Sequence, residues 1–329
     1  MTSFPIDVTG APRVEPLRAG FGRGLLEAGR RDPRVVALCA DLTESTMMHL
    51  FADEFPERFV EVGIAEQNLV TVASGMARAG KIPFTSSYAA FSPGRNWEQI
   101  KTTAALNDMP VTVVGSHSGV NVGPDGATHQ MLEDIAIMRV MPNMVVVAPA
   151  DSVEAEKATI AIAASGSPAY LRLARDSTPV FTLPETPFEL GKAYVVREGR
   201  DVTLIGTGTM TYELVVAASL LESEGIDAEV VHVPTVKPLD EATILASVEK
   251  TRLVVTAEEA QIAGGLGGAV AELLSAQLPT RVLRLGVEDR YGESGQPREL
   301  LEAFGLTGTH LAARARAFVR EHSAVLDAV

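Results

Sequence analysis

Short runs of β-branched and aliphatic residues alternate with helix-like stretches along the whole chain, and this alternation restricts the fold more than any other feature. Strands separated by helices pair in parallel, because a parallel crossover needs about a dozen residues and a helix supplies them. In the first half the strand-like runs are "VVALCAD" (35–41), "RFVEVG" (58–63), "IPFTSS" (82–87), "VTVVGS" (111–116), "MVVVAP" (144–149) and "AYLRLA" (169–174). In the second half they are "DVTLIGTG", "DAEVVHVP", "RLVVTAEE" and "RVLRLGV". Pro179, Pro184 and Pro187 interrupt the pattern within "DSTPVFTLPETPFELG" and mark a domain boundary. The expected fold class is therefore α/β, with two doubly wound domains over residues 1–187 and 188–329, the second smaller. Apolar residues at 46% suffice for two ordinary cores, in keeping with the length of 329 residues.

A formal charge of −14 argues against a nucleic-acid partner, whose phosphates demand clustered Lys and Arg. No run reaches the ~18 apolar residues of a membrane span. The opening "MTSFPIDVTGAPRVEP" lacks a basic stretch followed by an apolar run, so the expected location is the cytoplasm. The single cysteine, Cys39, lies in a strand-like run and is expected to be buried and inert.

Within "FVEVGIAEQNLV" a strand runs into a helix expected over 65–79, with Leu69, Val72, Ala73 and Met76 at helical spacing and Gly80 as terminator. Glu66 falls in its first turn, where the partial positive charge of the helix end alone would favour a carboxylate. Tyr88 and Phe91 follow the next strand, at the end where open parallel sheets bind ligands. They suit either core packing or the wall of a flat ring's pocket. Pro93 is expected to open the following helix.

The stretch "GSHSGVNVGPDGATHQ" sets His117, Asp125 and His129 in a Gly-rich loop directly after a strand. Glycines let such a loop approach a ligand closely, and histidine can move a proton or polarise a carbonyl. The spacing matches neither an H-E-x-x-H helix nor a zinc pattern, so no metal ligands are assigned. "GGLGG" at 264–268 fails the dinucleotide fingerprint, since Val270 occupies the third glycine position, and reads as a tight turn before a helix.

Taken together, "VEVGIAEQN", "YAAF" and "GSHSGVNVGPDGATHQMLEDIAIMR" resemble the transketolase family of thiamine-diphosphate enzymes. The resemblance implies a pyrimidine-binding domain followed by a transketolase C-terminal-type domain. It also answers why Glu66 is there: the matching glutamate hydrogen-bonds the cofactor's aminopyrimidine and helps it to activate the thiazolium carbon. By the same carry-over Tyr88 and Phe91 border the pyrimidine, although Phe is usual at the first position. Ile64 and Leu42 match apolar cofactor contacts, and Asp41 lies in the matching "ADLT" segment. His117 and His129 match histidines facing the substrate, Asp125 an acid reading a sugar hydroxyl, and Arg18, Ser45 and Arg175 positions for the sugar phosphate.

Family members bind the diphosphate and Mg²⁺ with an N-terminal domain carrying a Gly-Asp-Gly segment. This chain has "GPDG" but no "GDG". The resemblance thus implies the second half of a split transketolase, paired with a diphosphate-binding N-terminal subunit that supplies the metal ligands, in a heterotetramer with two copies of each chain. The implied reaction is two-carbon ketol transfer from a ketose phosphate to an aldose, as in the pentose phosphate pathway. Two relatives with the same cofactor geometry are alternatives: a 1-deoxyxylulose-5-phosphate synthase, which usually has Arg where this loop carries Ser118, and a 2-oxoacid dehydrogenase β subunit, which lacks the paired histidines. A non-catalytic assembly or regulatory partner is a reading of another class, and the intact set of Glu66, His117, Asp125 and His129 argues against it.

Overall fold

The computed structural model describes residues 4–8, 10 and 12–326. Its strands in chain order are β1 (Val14–Pro16), β2 (Val35–Cys39), β3 (Phe59–Glu61), β4 (Ile82–Tyr88), β5 (Thr112–Ser118), β6 (Val145–Val147) and β7 (Ala169–Ala174). They continue as β8 (Ser177–Pro179), β9 (Tyr194–Arg197), β10 (Val202–Gly206), β11 (Ala228–His232), β12 (Thr235–Lys237), β13 (Leu253–Gln261) and β14 (Arg281–Val287).

Seven strands form the first sheet, in the order β12-β6-β7-β5-β4-β2-β3, and five form the second, β14-β13-β10-β11-β9. Within these two sheets pairing is parallel except for β12 on the edge of the first and β9 on the edge of the second, and β1 and β8 form a separate antiparallel pair. The α/β class and the mostly parallel sheets are as the alternating pattern predicts. Strands β2, β5 and β7 are buried along their whole length, which is why they read as continuous rather than alternating apolar runs.

The second half also extends into the first. Strand β12 pairs with β6, Thr235 opposite Val147, so the first sheet is completed from beyond the proline-rich boundary. The cores interlock likewise: Val120 and Leu132 belong to the apolar cluster of the second sheet, and Val236 and Ala260 to a cluster of the first. Nothing in the periodicity marks a three-residue strand as belonging to a distant sheet.

Two local expectations are corrected or sharpened. Pro93 does not open a helix; it stands in a turn over 89–96, and the helix begins at Trp97 and widens to π geometry over Ile100–Ala105. Backbone bonds from Gly94 to Ala89 and from Arg95 to Phe91 wind the turn before the helix starts. Cys39 is fully buried with Sγ 3.6 Å from the Ser86 carbonyl, and burial pushes its thiol pKa up. None of the described helices is long and apolar enough to cross a membrane.

Candidate active site

The parallel strands of the first sheet deliver the candidate residues to one edge, their C-terminal ends, where parallel sheets open a binding crevice. Asp41 and Leu42 follow β2, Ile64 and Glu66 follow β3, Tyr88 closes β4, His117 lies at the end of β5, and Arg175 follows β7. The Glu61 carboxylate ties two of these loops together, accepting from the Asp41 and Gly63 amides at 2.8 Å each and from Thr43 Oγ1 at 3.1 Å. Asp41 takes φ 62° there, a left-handed conformation that Asp tolerates better than most side chains.

Glu66 is the first residue of the helix Glu66–Arg78 and is only 5% exposed. Its carboxylate faces the Arg95 guanidinium at 3.4 Å, and its carbonyl accepts from Asn96 Nδ2 at 2.8 Å. Arg95 also lies over the Phe91 ring, 4.2 Å from its centroid. Phe91 and Tyr88 are stacked nearly parallel with centroids 5.9 Å apart, and the Tyr88 ring stacks on His117 at 3.7 Å. His129 meets Phe91 edge-on at 5.4 Å. One continuous group of rings and charges thus joins Glu66 to both histidines.

His117 is 3% exposed, with φ 56° and Nδ1 2.9 Å from Ser116 Oγ. Burial, and then the positive charges of Arg18 and Arg175, push its pKa down to about 3 from an ordinary 6.5. The ring is therefore neutral at physiological pH and acts through hydrogen bonds rather than charge. Its C2-proton resonance is expected to stay flat from about pH 8 to pH 4; a midpoint near the ordinary value would show a solvated ring. Because the folded value lies below the unfolded one, this group costs stability progressively as pH falls from 6.5 toward about 3.

Arg18, in the first turn of the helix Leu17–Arg31, donates from Nη1 to the Arg175 carbonyl, and Arg175 donates to the Val122 carbonyl at 3.0 Å. Neither forms a salt bridge among the described residues, and burial together with the Arg175 charge lowers the Arg18 pKa. The Asp176 carboxylate is near enough to oppose that lowering but forms no salt bridge with either arginine, and two adjacent guanidiniums so placed suit an anion. Asp125 and Asp41 are exposed, Ser45 and Leu42 half-buried, and Leu42 packs against the first-domain core. Ile64 projects outward, 74% exposed.

A buried carboxyl bordered by Arg95 and aromatic rings, with an exposed isoleucine in the loop just before it, fits the aminopyrimidine end of thiamine diphosphate. No group of three or more His, Cys, Asp and Glu among the described residues is placed to hold a metal ion. Sequence reasoning missed Arg95 and Glu61. Arg95 sits in a turn with no pattern to single it out, whereas Glu61, alternating in a strand and two residues before Gly63, could have been suspected of holding that turn.

Residues 16–180 match the transketolase pyrimidine binding domain and residues 191–311 the transketolase C-terminal domain. A Methanocaldococcus jannaschii protein provisionally designated a transketolase C-terminal section is 44% identical over 91% of this chain and 94% of its own. A 6-deoxy-6-sulfo-D-fructose transketolase subunit of Clostridium sp. is 43% identical over 87% of this chain and 89% of its own. A 1-deoxy-D-xylulose-5-phosphate synthase of Symbiobacterium thermophilum is 40% identical over 91% of this chain but 46% of its own. Among solved structures, one titled "Split gene transketolase, inactive beta4 tetramer" superposes with a TM-score of 0.87 at 42% identity, covering 93% of this chain and 98% of that one. With both domain types matched in order and near-complete overlap with a split-gene relative, the chain belongs to the transketolase family.

Proposed function

We propose that the chain is the pyrimidine-binding subunit of a split, thiamine-diphosphate-dependent transketolase that moves a two-carbon ketol unit from a ketose phosphate to an aldose. The observation that carries this reading is the meeting of Glu66, the Tyr88 and Phe91 rings and both histidines in one group, with Arg18 and Arg175, neither in a salt bridge among the described residues, beside His117. When bound, thiamine diphosphate supplies the carbon nucleophile and the electron sink for breaking the bond next to the ketose carbonyl. Glu66 holds a proton against the aminopyrimidine, with Tyr88, Phe91, Ile64, Asp41 and Leu42 bordering the cofactor. His117, as a neutral ring, hydrogen-bonds substrate oxygens, and His129 hydrogen-bonds them and moves protons there. Asp125 accepts from a sugar hydroxyl, and Arg18, Arg175 and Ser45 hold the anionic end of the sugar.

In this reading residues 1–187 form the cofactor-facing domain and 188–329 the second domain. An N-terminal subunit supplies the diphosphate and Mg²⁺ site. Two copies of each chain make the working heterotetramer, with each cofactor between unlike subunits. The relative designated a C-terminal section supports the separate partner, and so does a split-gene relative whose title pairs a single-chain tetramer with inactivity.

The test is ketose-phosphate consumption by the purified chain with thiamine diphosphate and Mg²⁺, with and without the N-terminal subunit. Turnover is expected only in the mixture, and turnover by the chain alone would overturn the split-site reading. The likeness to a 1-deoxy-D-xylulose-5-phosphate synthase favours a second reading, which pyruvate consumption by the same mixture would establish. A ketose bearing a sulfonate in place of phosphate belongs in the same assay, because the Clostridium relative is named for such a sugar.

A further inference from the structure

Glu259 lies on β13 of the second domain, 2% exposed, yet its carboxylate reaches into the first. One oxygen accepts the Asn121 amide at 2.6 Å and the other accepts Thr209 Oγ1 at 3.1 Å. Its own carbonyl accepts from Arg172 of β7 at 2.7 Å. Desolvation raises the pKa of this carboxyl, and the Arg172 charge with the Asn121 and Thr209 donors opposes that rise. A buried carboxylate is tolerated only with such donors around it.

The Asn121 amide belongs to the loop that begins at His117 and ends at His129. Gly119, between His117 and Asn121, has φ 77°, and a Cβ there would stand 2.4 Å from Glu259 Oε1, so loop and carboxylate are in direct contact. The hold continues outward. Asn121 Oδ1 accepts the Asp176 amide at 2.5 Å, and the neighbouring Arg175 donates to Val122 at 3.0 Å. The far end is clamped from the second domain as well, Gln130 Nε2 donating to the Glu293 carbonyl at 3.0 Å.

We infer that Glu259 is a positioning residue: through the Asn121 amide, the second domain sets the conformation of the histidine loop and, with it, the segment bearing Arg175. What the loop does rests on the ketol-transfer reading above; what holds it rests on these contacts. Glu259 touches neither cofactor nor substrate in this reading, and acts through His117, Asn121 and Arg175.

The experiment compares Glu259→Ala with Glu259→Gln. The amide side chain keeps both bonds, its oxygen accepting from Asn121 and its NH₂ donating to a Thr209 hydroxyl turned the other way. In the chain alone, Glu259→Ala is expected to speed amide hydrogen exchange over 119–123 and at Asp176 about tenfold, with the β10 and β11 amides unchanged and Glu259→Gln protected like the wild type. In the two-subunit mixture, the Ala variant is expected to raise the KM for the ketose phosphate by about tenfold, more than it lowers kcat, with Gln restoring both. Unaltered exchange in both variants would overturn the inference. So would equal loosening of the whole second domain in both, which would mark Glu259 as merely structural. A wild-type mixture without activity would refute the ketol-transfer reading instead, and the exchange measurement would still decide what holds the loop.

Discussion

In the reconstituted two-subunit enzyme, Glu66→Gln is expected to lower kcat by about 10²–10⁴-fold, the range for losing a placed proton-transfer group. The change is nearly isosteric. The bond from Asn96 goes to the backbone carbonyl and survives, and the Arg95 contact is at 3.4 Å with that arginine 53% exposed, so little stability depends on the charge. The substituted chain should therefore melt at the wild-type temperature and still assemble with its partner. Calorimetry on the isolated chain and initial rates on the mixture check the two halves of the statement. Activity within about twofold of wild type would remove Glu66 from the chemistry and, with it, the reason for reading the pocket as a cofactor site.

The second large effect concerns stability. The helix Leu17–Arg31 lies so close to the helix Ser152–Ser165 that a Cβ on Gly20 would stand 1.8 Å from the Ser152 carbonyl oxygen, and one on Gly24 2.6 Å from that of Glu156. Both obstacles are backbone, which cannot rotate aside. Gly20→Val should destabilise the chain by at least about 2 kcal/mol, toward or beyond the upper part of the range for overpacking. A urea titration followed by far-ultraviolet circular dichroism reads this directly as a lower midpoint at similar slope. Arg18 is two residues away on the same helix, so the shifted helix should also weaken the anion site. An unchanged midpoint would mean that the helices are not packed at this distance.

Much of the placement of the candidate site is legible in the sequence because most of its residues close or follow a strand. Glu66 opens a helix after "VEVG", Tyr88 and Phe91 follow "IPFTSS", and His117 follows "VTVVG". Strand ends are readable from periodicity, and in a parallel sheet they share one edge. What periodicity does not carry is which side chains turn toward one another. The pattern leaves Tyr88 and Phe91 open to core packing or to the wall of a ring pocket, and does not show that His117 stacks against the tyrosine and takes up one aromatic face. Arg95 follows no strand and lies in an irregular turn, yet it touches both Glu66 and Phe91.

Glu258 and Glu259 were hidden for a different reason. In "LVVTAEEAQ" they read as the polar end of a buried strand, whereas both are enclosed. Glu258 caps the helix Leu266–Gln277 by accepting the Leu266 and Gly267 amides at 2.7 and 2.8 Å, and burial pushes its pKa up to about 7. That explains "GGLGG" as the tight turn expected before a helix: a Cβ on Gly265 would meet the Glu258 carboxylate at 1.9 Å. The partners of a buried acid come from sequence positions that no local pattern connects to it.

The crossing of β12 into the first sheet and the exchange of core residues bear on how the polypeptide can be divided. A scission between 187 and 188 would take Val236 and Ala260 out of one apolar interior and Val120 and Leu132 out of the other, opening a void in each fragment. Neither fragment would keep its full set of close-packed neighbours, so neither is expected to fold stably on its own. The two domains are therefore expected to unfold in one transition, and a division of the polypeptide at this boundary would cost both interiors.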